Sequence, residues 1–447
     1  MEKKYFGTDG IRGKVGQGPI TPDWCVRLGW AIGRYFLNSG NEAKILIGKD
    51  TRISGYMLES ALQSGLISAG ATVELLGPMP TPGIAYLTRE FEADGAIVIS
   101  ASHNSYEDNG IKIFDGNGEK LQDRDELAIE SLLVQPIKTV PAAELGKANR
   151  LMVAQERYSG FCAGQVASLL AVQDLKIVVD CANGATYQVA PLVFSKLGLN
   201  PIFIGSLPDG LNINKDCGST DVEFLQETVA REEADIGIAF DGDGDRVCLV
   251  DHQGSLIDGD DILYLLAIDL LDRGEEFGGV VGTHMTNMAF ELAFGDKGIP
   301  FFRADVGDRN VIRAMKERGW LLGGEGSGHI LNLKKTNTGD GLITALQILE
   351  IINREKKSLA EIGNAVSKYP QILKNIRCRD PESLIVDHTF CAAINSCTER
   401  LGEKGRILVR KSGTEPLVRI MIEGQSRQEI ESIGGHLESI AVSIRQD

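Results

Sequence analysis

Several features that would narrow a function quickly are missing from this chain. No Lys/Arg-rich run occurs and the formal net charge is −16, which argues against a nucleic-acid or anionic-membrane surface as the main partner. The eight cysteines form no C-x-x-C pair and no zinc spacing with the six histidines, so they read as reduced core thiols. The longest apolar stretch, Leu263 to Leu271, is interrupted by Asp269 and is too short to span a bilayer. The opening MEKKYFGTDG has no apolar signal core, and a cytoplasmic setting is expected. Proline is scarce, at 14 residues against 52 glycines, which favours tight loops between regular elements over disorder.

What is present is a repeated plan. Apolar strand-like runs ending in polar or glycine-bearing loops recur in groups of three. Lys44–Gly48, Thr72–Leu76 and Ala96–Ile99 form the first group; Lys176–Asp180, Pro201–Ile204 and Asp235–Ala239 the second; Gly279–Gly282, Pro300–Arg303 and Trp320–Leu322 the third. Segments with helical spacing lie between them, such as Met57-Leu58-Ala61-Leu62-Leu66. Alternation of this kind indicates βαβ units and largely parallel sheets. The chain thus reads as three similar α/β modules of mixed, largely parallel sheets, followed by a C-terminal α+β domain, around a central cleft. The expected divisions are 1–153, 154–256, 257–369 and 370–447. The last is marked by strands at Ile372–Cys378, Arg406–Arg410 and Leu417–Glu423 and a helix over 426–445.

In open α/β sheets, ligands bind beyond the carboxyl ends of the strands. Here the third strand of each module opens into a polar loop: SASHN, DGDGDR or GEGSGH. Convergence of those loops on one composite site is the central expectation from pattern alone.

Asp241, Asp243 and Asp245 alternate with glycines, so the backbone can wrap and the carboxylates can converge on a hard cation, with Mg²⁺ favoured. A calcium EF-hand would need Gly where Arg246 stands and Glu where His252 stands, and a dinucleotide fingerprint would need Gly at Val247. A solvated acidic turn is the bland alternative. Ser102 lacks the G-x-S-x-G setting of an α/β-hydrolase. On an extended chain His103 would point away from it. From the residues alone, Ser102 reads equally as a turn or helix-cap serine and as a nucleophile. Arg410-Lys-Ser-Gly-Thr-Glu-Pro-Leu-Val-Arg419 concentrates cations around hydroxyls and backbone N–H groups. That combination suits a phosphate dianion, or else an ordinary hairpin turn. GEGSGH reads equally as a sugar-hydroxyl contact or a plain glycine-rich turn.

Taken together, FGTDGIRG, GKDTRISG, GPMPTPG, ISASHN, DGDGDRV, GGEGSGH and RKSGTEPLVR resemble the motifs of the α-D-phosphohexomutases. The resemblance covers essentially the whole chain, and the early motifs are most similar to the branch acting on glucosamine phosphates for UDP-N-acetylglucosamine synthesis. It implies four domains, a phosphoryl group carried on Ser102, and Mg²⁺ held by Asp241, Asp243, Asp245 and a phosphoserine oxygen. It further implies sugar contacts at Glu325 and Ser327. A distal phosphate would be held by Arg410, Ser412, Gly413, Thr414 and Arg419. Lys112, His103, Arg12 and Arg246 would surround the transferred phosphoryl, with Lys112 or His329 as acid or base. Glucosamine 1,6-bisphosphate, or glucose 1,6-bisphosphate, would serve as intermediate or activator. A homodimer with a small phosphosugar substrate is implied. A mannose- or glucose-phosphate mutase, a non-catalytic phosphosugar-binding protein and a magnesium-dependent phosphatase are the alternatives. One departure is Ser105, where the family usually has proline, so the loop is expected to lose a restraint on Asn104.

Overall fold

The computed structural model describes residues 3–7, 9–37, 42–166, 172–411 and 416–444. It forms two compact units, Met1–Thr283 with Ala304–Ala365, and His284–Arg303 with Val366–Asp447.

In the first unit, the expected strands appear as Lys44–Lys49, Thr72–Pro78 and Gly95–Ile99, then Ile177–Asp180, Ile202–Ile204 and Ile236–Phe240, then Val280–Thr283 and Leu322–Gly324. Each set pairs in parallel, for example Ile47 opposite Ile97 and Val179 opposite Ile238. Strands rich in Ile, Leu and Val suit such sheets because helices cover both faces. Helix Ser54–Ala69 packs over the first sheet, and Leu58, Leu62 and Leu66, one face at helical spacing, are fully buried. Helix Gly259–Asp272 starts at Asp258, whose carboxylate and that of Asp261 form a reciprocal capping box.

The sequence pattern does not anticipate the strand on the far side of each polar loop. Asp108–Asp115, Val247–Asp251 and Ile330–Asn332 run back antiparallel beside Gly95–Ile99, Ile236–Phe240 and Leu322–Gly324. SASHN, DGDGDR and GEGSGH are therefore hairpin connections rather than strand-to-helix loops. Their returning strands carry Lys112 and start directly after Arg246 and His329. These strands were missed because each is preceded by the same small polar residues that elsewhere punctuate turns.

In the second unit, Gln371–Arg377, Leu417–Gly424 and Gly405–Lys411 form an antiparallel sheet with Leu417–Gly424 central. Helices His388–Leu401 and Arg427–Ile444 bury Phe390, Ile430 and Leu437 against it. Among the described residues, no helix is long and apolar enough to cross a membrane.

Candidate active site

Strand Gly95–Ile99 ends in a turn, and Ser102 adopts the left-handed conformation with φ 51°. The extended geometry assumed for Ser102 and His103 is therefore corrected. The hydroxyl lies 3.5 Å from His103 Nδ1, at the outer limit of a hydrogen bond. It donates instead to Asp241 Oδ2 at 2.7 Å. The Ser102 N–H donates to Ser100 Oγ at 2.9 Å, and Ser100 Oγ donates to Asp50 Oδ2 at 2.7 Å. Ser102 itself is only 1% exposed.

The three aspartates of DGDGDR are all buried, with ligand atoms within 4.8 Å of one another. Gly242 permits this approach, since a Cβ there would lie 2.7 Å from the Ser102 carbonyl oxygen. Lys112 Nζ donates to Asp243 Oδ2 at 2.9 Å and sits 3.3 Å from Asp9 and 3.7 Å from Asp245. Thr81 donates to Asp243 Oδ2 at 2.6 Å. Even so, Asp243 Oδ1 and Asp245 Oδ1 are buried with no hydrogen-bond partner. Orphaned oxygens on crowded hard ligands fit a divalent cation.

The electrostatics agree with that fit. Burial and the charges of Asp245 and Asp243 hold the Asp241 carboxyl well above its usual range. Burial also works against the charged form of Asp245, but Lys112 and His329 outweigh it and keep its carboxyl well below that range. Burial opposes the Lys112 ammonium too, yet Asp243, Asp9 and Asp245 raise its pKa overall. For His103, burial and then the positive Arg246 and Arg12 push the imidazole down to about 4.

The third loop closes the site. Glu325 Oε1 accepts from the Gly307 N–H at 2.9 Å. Gly328, at φ 92°, presses so close to the Val247 carbonyl that any side chain would collide with it. His329 is buried between two carboxylates, Nδ1 3.6 Å from Asp245 and Nε2 3.9 Å from Asp308. Burial opposes its charge, but Asp245 and Asp308 raise its pKa above the ordinary value. Arg12, Asp245, Arg246, Glu325 and His329 line a common cavity of about 580 Å³, a size suited to a small polar ligand. Ser327 is exposed at the tip of its turn. The three loops thus converge as the pattern suggested.

The fourth motif lies in the second unit. Arg410 stands directly opposite Arg419 on neighbouring antiparallel strands. Two arginines side by side on one face of a ladder concentrate positive charge and suit a phosphate dianion. Ser412, Gly413 and Thr414 lie outside the described residues.

Sequence reasoning missed several polar residues around this centre. Lys120, 12% exposed, bridges Asp9 and Asp308. Arg52 is completely buried and donates to the Ser102 carbonyl at 2.9 Å. Arg52 also grips the Ser105 carbonyl, which supplies a restraint where a proline is lacking. Its signal was the KDTR loop, which ends a strand of the same sheet as SASHN.

Comparison with known proteins accords with this geometry. The chain matches the phosphoglucomutase/phosphomannomutase alpha/beta/alpha domains I, II and III over residues 3–138, 156–254 and 258–369, and the C-terminal domain over 359–435. It is 54% identical over 441 residues to phosphoglucosamine mutase of Pseudomonas fluorescens, covering 99% of this chain and 98% of that one. With phosphoglucosamine mutase of Cronobacter sakazakii it shares 54% over 429 residues, 96% of each chain. The fold is shared with a phosphoglucomutase/phosphomannomutase family protein from Burkholderia thailandensis, at TM-score 0.84 and 24% identity over 99% and 97% of the chains. It is also shared with Aspergillus fumigatus N-acetylphosphoglucosamine mutase, solved with GlcNAc-6P and magnesium, at TM-score 0.67 and 17% identity over 100% and 96%. The chain therefore belongs to the phosphoglucomutase/phosphomannomutase superfamily and, within it, to the phosphoglucosamine mutase family.

Proposed function

We propose that the chain interconverts glucosamine 6-phosphate and glucosamine 1-phosphate, with Ser102 as phosphoryl carrier. The observation that carries the mechanism is the buried Ser102 hydroxyl, 2.7 Å from Asp241 in a cluster of three carboxylates with orphaned oxygens. Asp241, Asp243 and Asp245, with an oxygen of phosphorylated Ser102, are suited to hold Mg²⁺. When bound, the ion supplies positive charge for the phosphoryl oxygens.

In the first half-reaction the P–O bond to Ser102 breaks as one forms to the free sugar hydroxyl, and the hydroxyl's proton ends on Ser102 Oγ. The product is glucosamine 1,6-bisphosphate. The bisphosphate turns end for end, and the reverse transfer returns its other phosphoryl to Ser102. Such transfers depend mainly on positioning and charge neutralisation. Lys112, Arg12 and Arg246 would neutralise charge around the transferred group, and the His103 imidazole, held neutral, would help to position it. Lys112, kept protonated against its burial by Asp243 and Asp9, would act as a fixed positive charge toward the phosphoryl oxygens rather than as a ready proton donor. His329 has a comparable role near Glu325, and Glu325 with Ser327 would read the sugar. Arg410, Ser412, Gly413, Thr414 and Arg419 would hold the distal phosphate of either isomer. The working division of the chain is 1–153 for the carrier domain, 154–256 for the metal loop, 257–369 for sugar recognition and 370–447 for the distal phosphate. Eight cysteines without a disulfide support a reducing, cytoplasmic setting.

The test is intact-mass analysis of wild type and Ser102→Ala, paired with mutase assays on glucosamine, mannose and glucose 6-phosphates. Phosphate on wild type alone, lost activity in the variant and preference for glucosamine 6-phosphate are expected. An active Ser102→Ala protein would sink the mechanism; equal turnover of mannose or glucose phosphates would move the substrate assignment.

A further inference from the structure

Two polar side chains from different modules end on the same pair of carbonyls, and one of those belongs to Ser102. From the loop after strand Lys44–Lys49, Arg52 donates through one terminal nitrogen to Ser102 O at 2.9 Å and Asn104 O at 2.8 Å. Its other terminal nitrogen reaches Asp108 O at 3.2 Å, and Nε pairs with Asp50 at 2.8 Å. From the module that carries DGDGDR, Asn214 Nδ2 donates to the same Ser102 O at 2.9 Å and Asn104 O at 3.1 Å.

Asn214 also occupies the narrow space between the serine loop and the metal loop. A Cβ on Gly242 would lie 2.6 Å from Asn214 Nδ2 and 2.7 Å from Ser102 O. Its own backbone is left-handed, φ 55°, and its N–H is anchored to Ala182 O at 2.9 Å. Nearby, Ile53 N–H donates to Gly210 O at 2.9 Å and Thr51 Oγ1 to Asn183 O at 2.5 Å. The residues flanking Arg52 are thus tied to the module that supplies Asn214.

The arrangement matters because Ser102 is held at φ 51°. A left-handed conformation is unfavourable for a residue with a Cβ and persists only where its surroundings over-determine it. That conformation aims Oγ at Asp241.

We propose that Asn214 is a positioning residue for phosphoryl transfer, working against Arg52 across the Ser102 and Asn104 carbonyls to set the spacing between the carrier serine and Asp241–Asp245. The inference rests on the reading of Ser102 as carrier. A small displacement of a reacting oxygen can cost about 100-fold in rate, so the loss belongs to the chemical step rather than to sugar binding.

The experiment uses full-length Asn214→Ser, Asn214→Ala and Asn214→Asp, with Ser102→Ala as control, each with Mg²⁺ and glucosamine 6-phosphate. Serine keeps one donor, alanine none, and aspartate turns an acceptor toward two acceptors. The expected order of kcat is wild type, Ser, Ala, Asp, with the alanine variant down about 10- to 100-fold. KM should stay within about twofold of wild type. Single-turnover transfer from phospho-Ser102 should fall by the same factor as kcat. Unchanged kcat in Asn214→Ala, a loss carried by KM, or an Asp variant as fast as Ser would overturn the proposal. If one variant fails to fold, the ordering of the others decides. An active Ser102→Ala protein would instead remove the carrier reading itself.

Discussion

Ser102 Oγ and Asp241 Oδ2 meet at 2.7 Å although 139 residues separate them in the chain. That contact joins a hydroxyl from one module to a carboxylate from the next. It also puts a charged group where burial and two neighbouring carboxylates disfavour its charge.

Asp241→Asn is accordingly expected to act in opposite directions on stability and activity. Without metal the variant should melt higher at neutral pH, since a buried, crowded charge is gone. Its mutase activity should fall on the order of 100-fold or more. Mg²⁺ should raise the melting temperature of wild type much more than that of the variant. Thermal melts with and without Mg²⁺, alongside the assay, check both; a variant stabilised by Mg²⁺ as strongly as wild type would contradict the metal assignment.

Lys120 tests a different part of the cluster. It ties Asp9 to Asp308 with its side chain 12% exposed. Lys120→Met removes the cation that bridges two partly buried carboxylates, while Asp9 keeps Arg12 and Lys112 and Asp308 keeps His329, so a loss of about 1–3 kcal/mol is expected. Adding Asp308→Asn should recover part of the loss. For Asp308, burial raises the pKa but Lys120 and His329 lower it further, so it ends depressed. Its stabilisation is present above the unfolded carboxylate pKa and is lost as pH falls through the folded value. Urea titrations of the single and double variants decide this.

Asp340 should give stability the opposite pH slope. It caps helix Gly341–Glu355 and accepts from Tyr158 Oη at 2.8 Å, fully buried, and burial raises its pKa from 3.8 to about 6. The folded protein therefore binds this proton more tightly than the unfolded chain. Stability associated with Asp340 is full below about pH 4 and declines as pH rises through about 6, by up to about 3 kcal/mol. Asn at this position can still cap the helix without the charge. The difference in unfolding free energy between wild type and Asp340→Asn should shift in favour of the variant between pH 4 and pH 7. A constant difference would refute it.

Arg410 and Arg419 face each other across a strand pair. Arg410 is exposed, so Arg410→Met should leave stability within about 0.5 kcal/mol of wild type. If this pair holds the distal phosphate, KM for the phosphosugar should rise about 10-fold or more, with less salt dependence. Steady-state kinetics at two ionic strengths provide the readout, and an unchanged KM would remove Arg410 from the site.

Much of this was legible in the residue order. Isoleucine, leucine and valine runs at strand length, helical spacing between them and glycines among aspartates report local preferences, and local preferences arise from the backbone and side-chain chemistry of a few neighbouring residues. Hence the three-module plan, the terminal helix at Arg427–Ile444 and the likeness of the motifs to a mutase family are all carried by the sequence itself.

What only the tertiary structure decided is how distant segments meet. Periodicity carries no information on which strand returns antiparallel, so the hairpin character of SASHN, DGDGDR and GEGSGH was hidden. The left-handed turn at Ser102 was hidden for the same reason, since a serine has no intrinsic preference for it and contacts with Arg52 and Asn214 accompany it. Lys120, Arg52 and Asn214 look in sequence like ordinary surface or turn residues. Their importance arises from partners up to 188 residues away, with Arg52 fully buried and the other two partly so, where a lowered dielectric makes each pairing count.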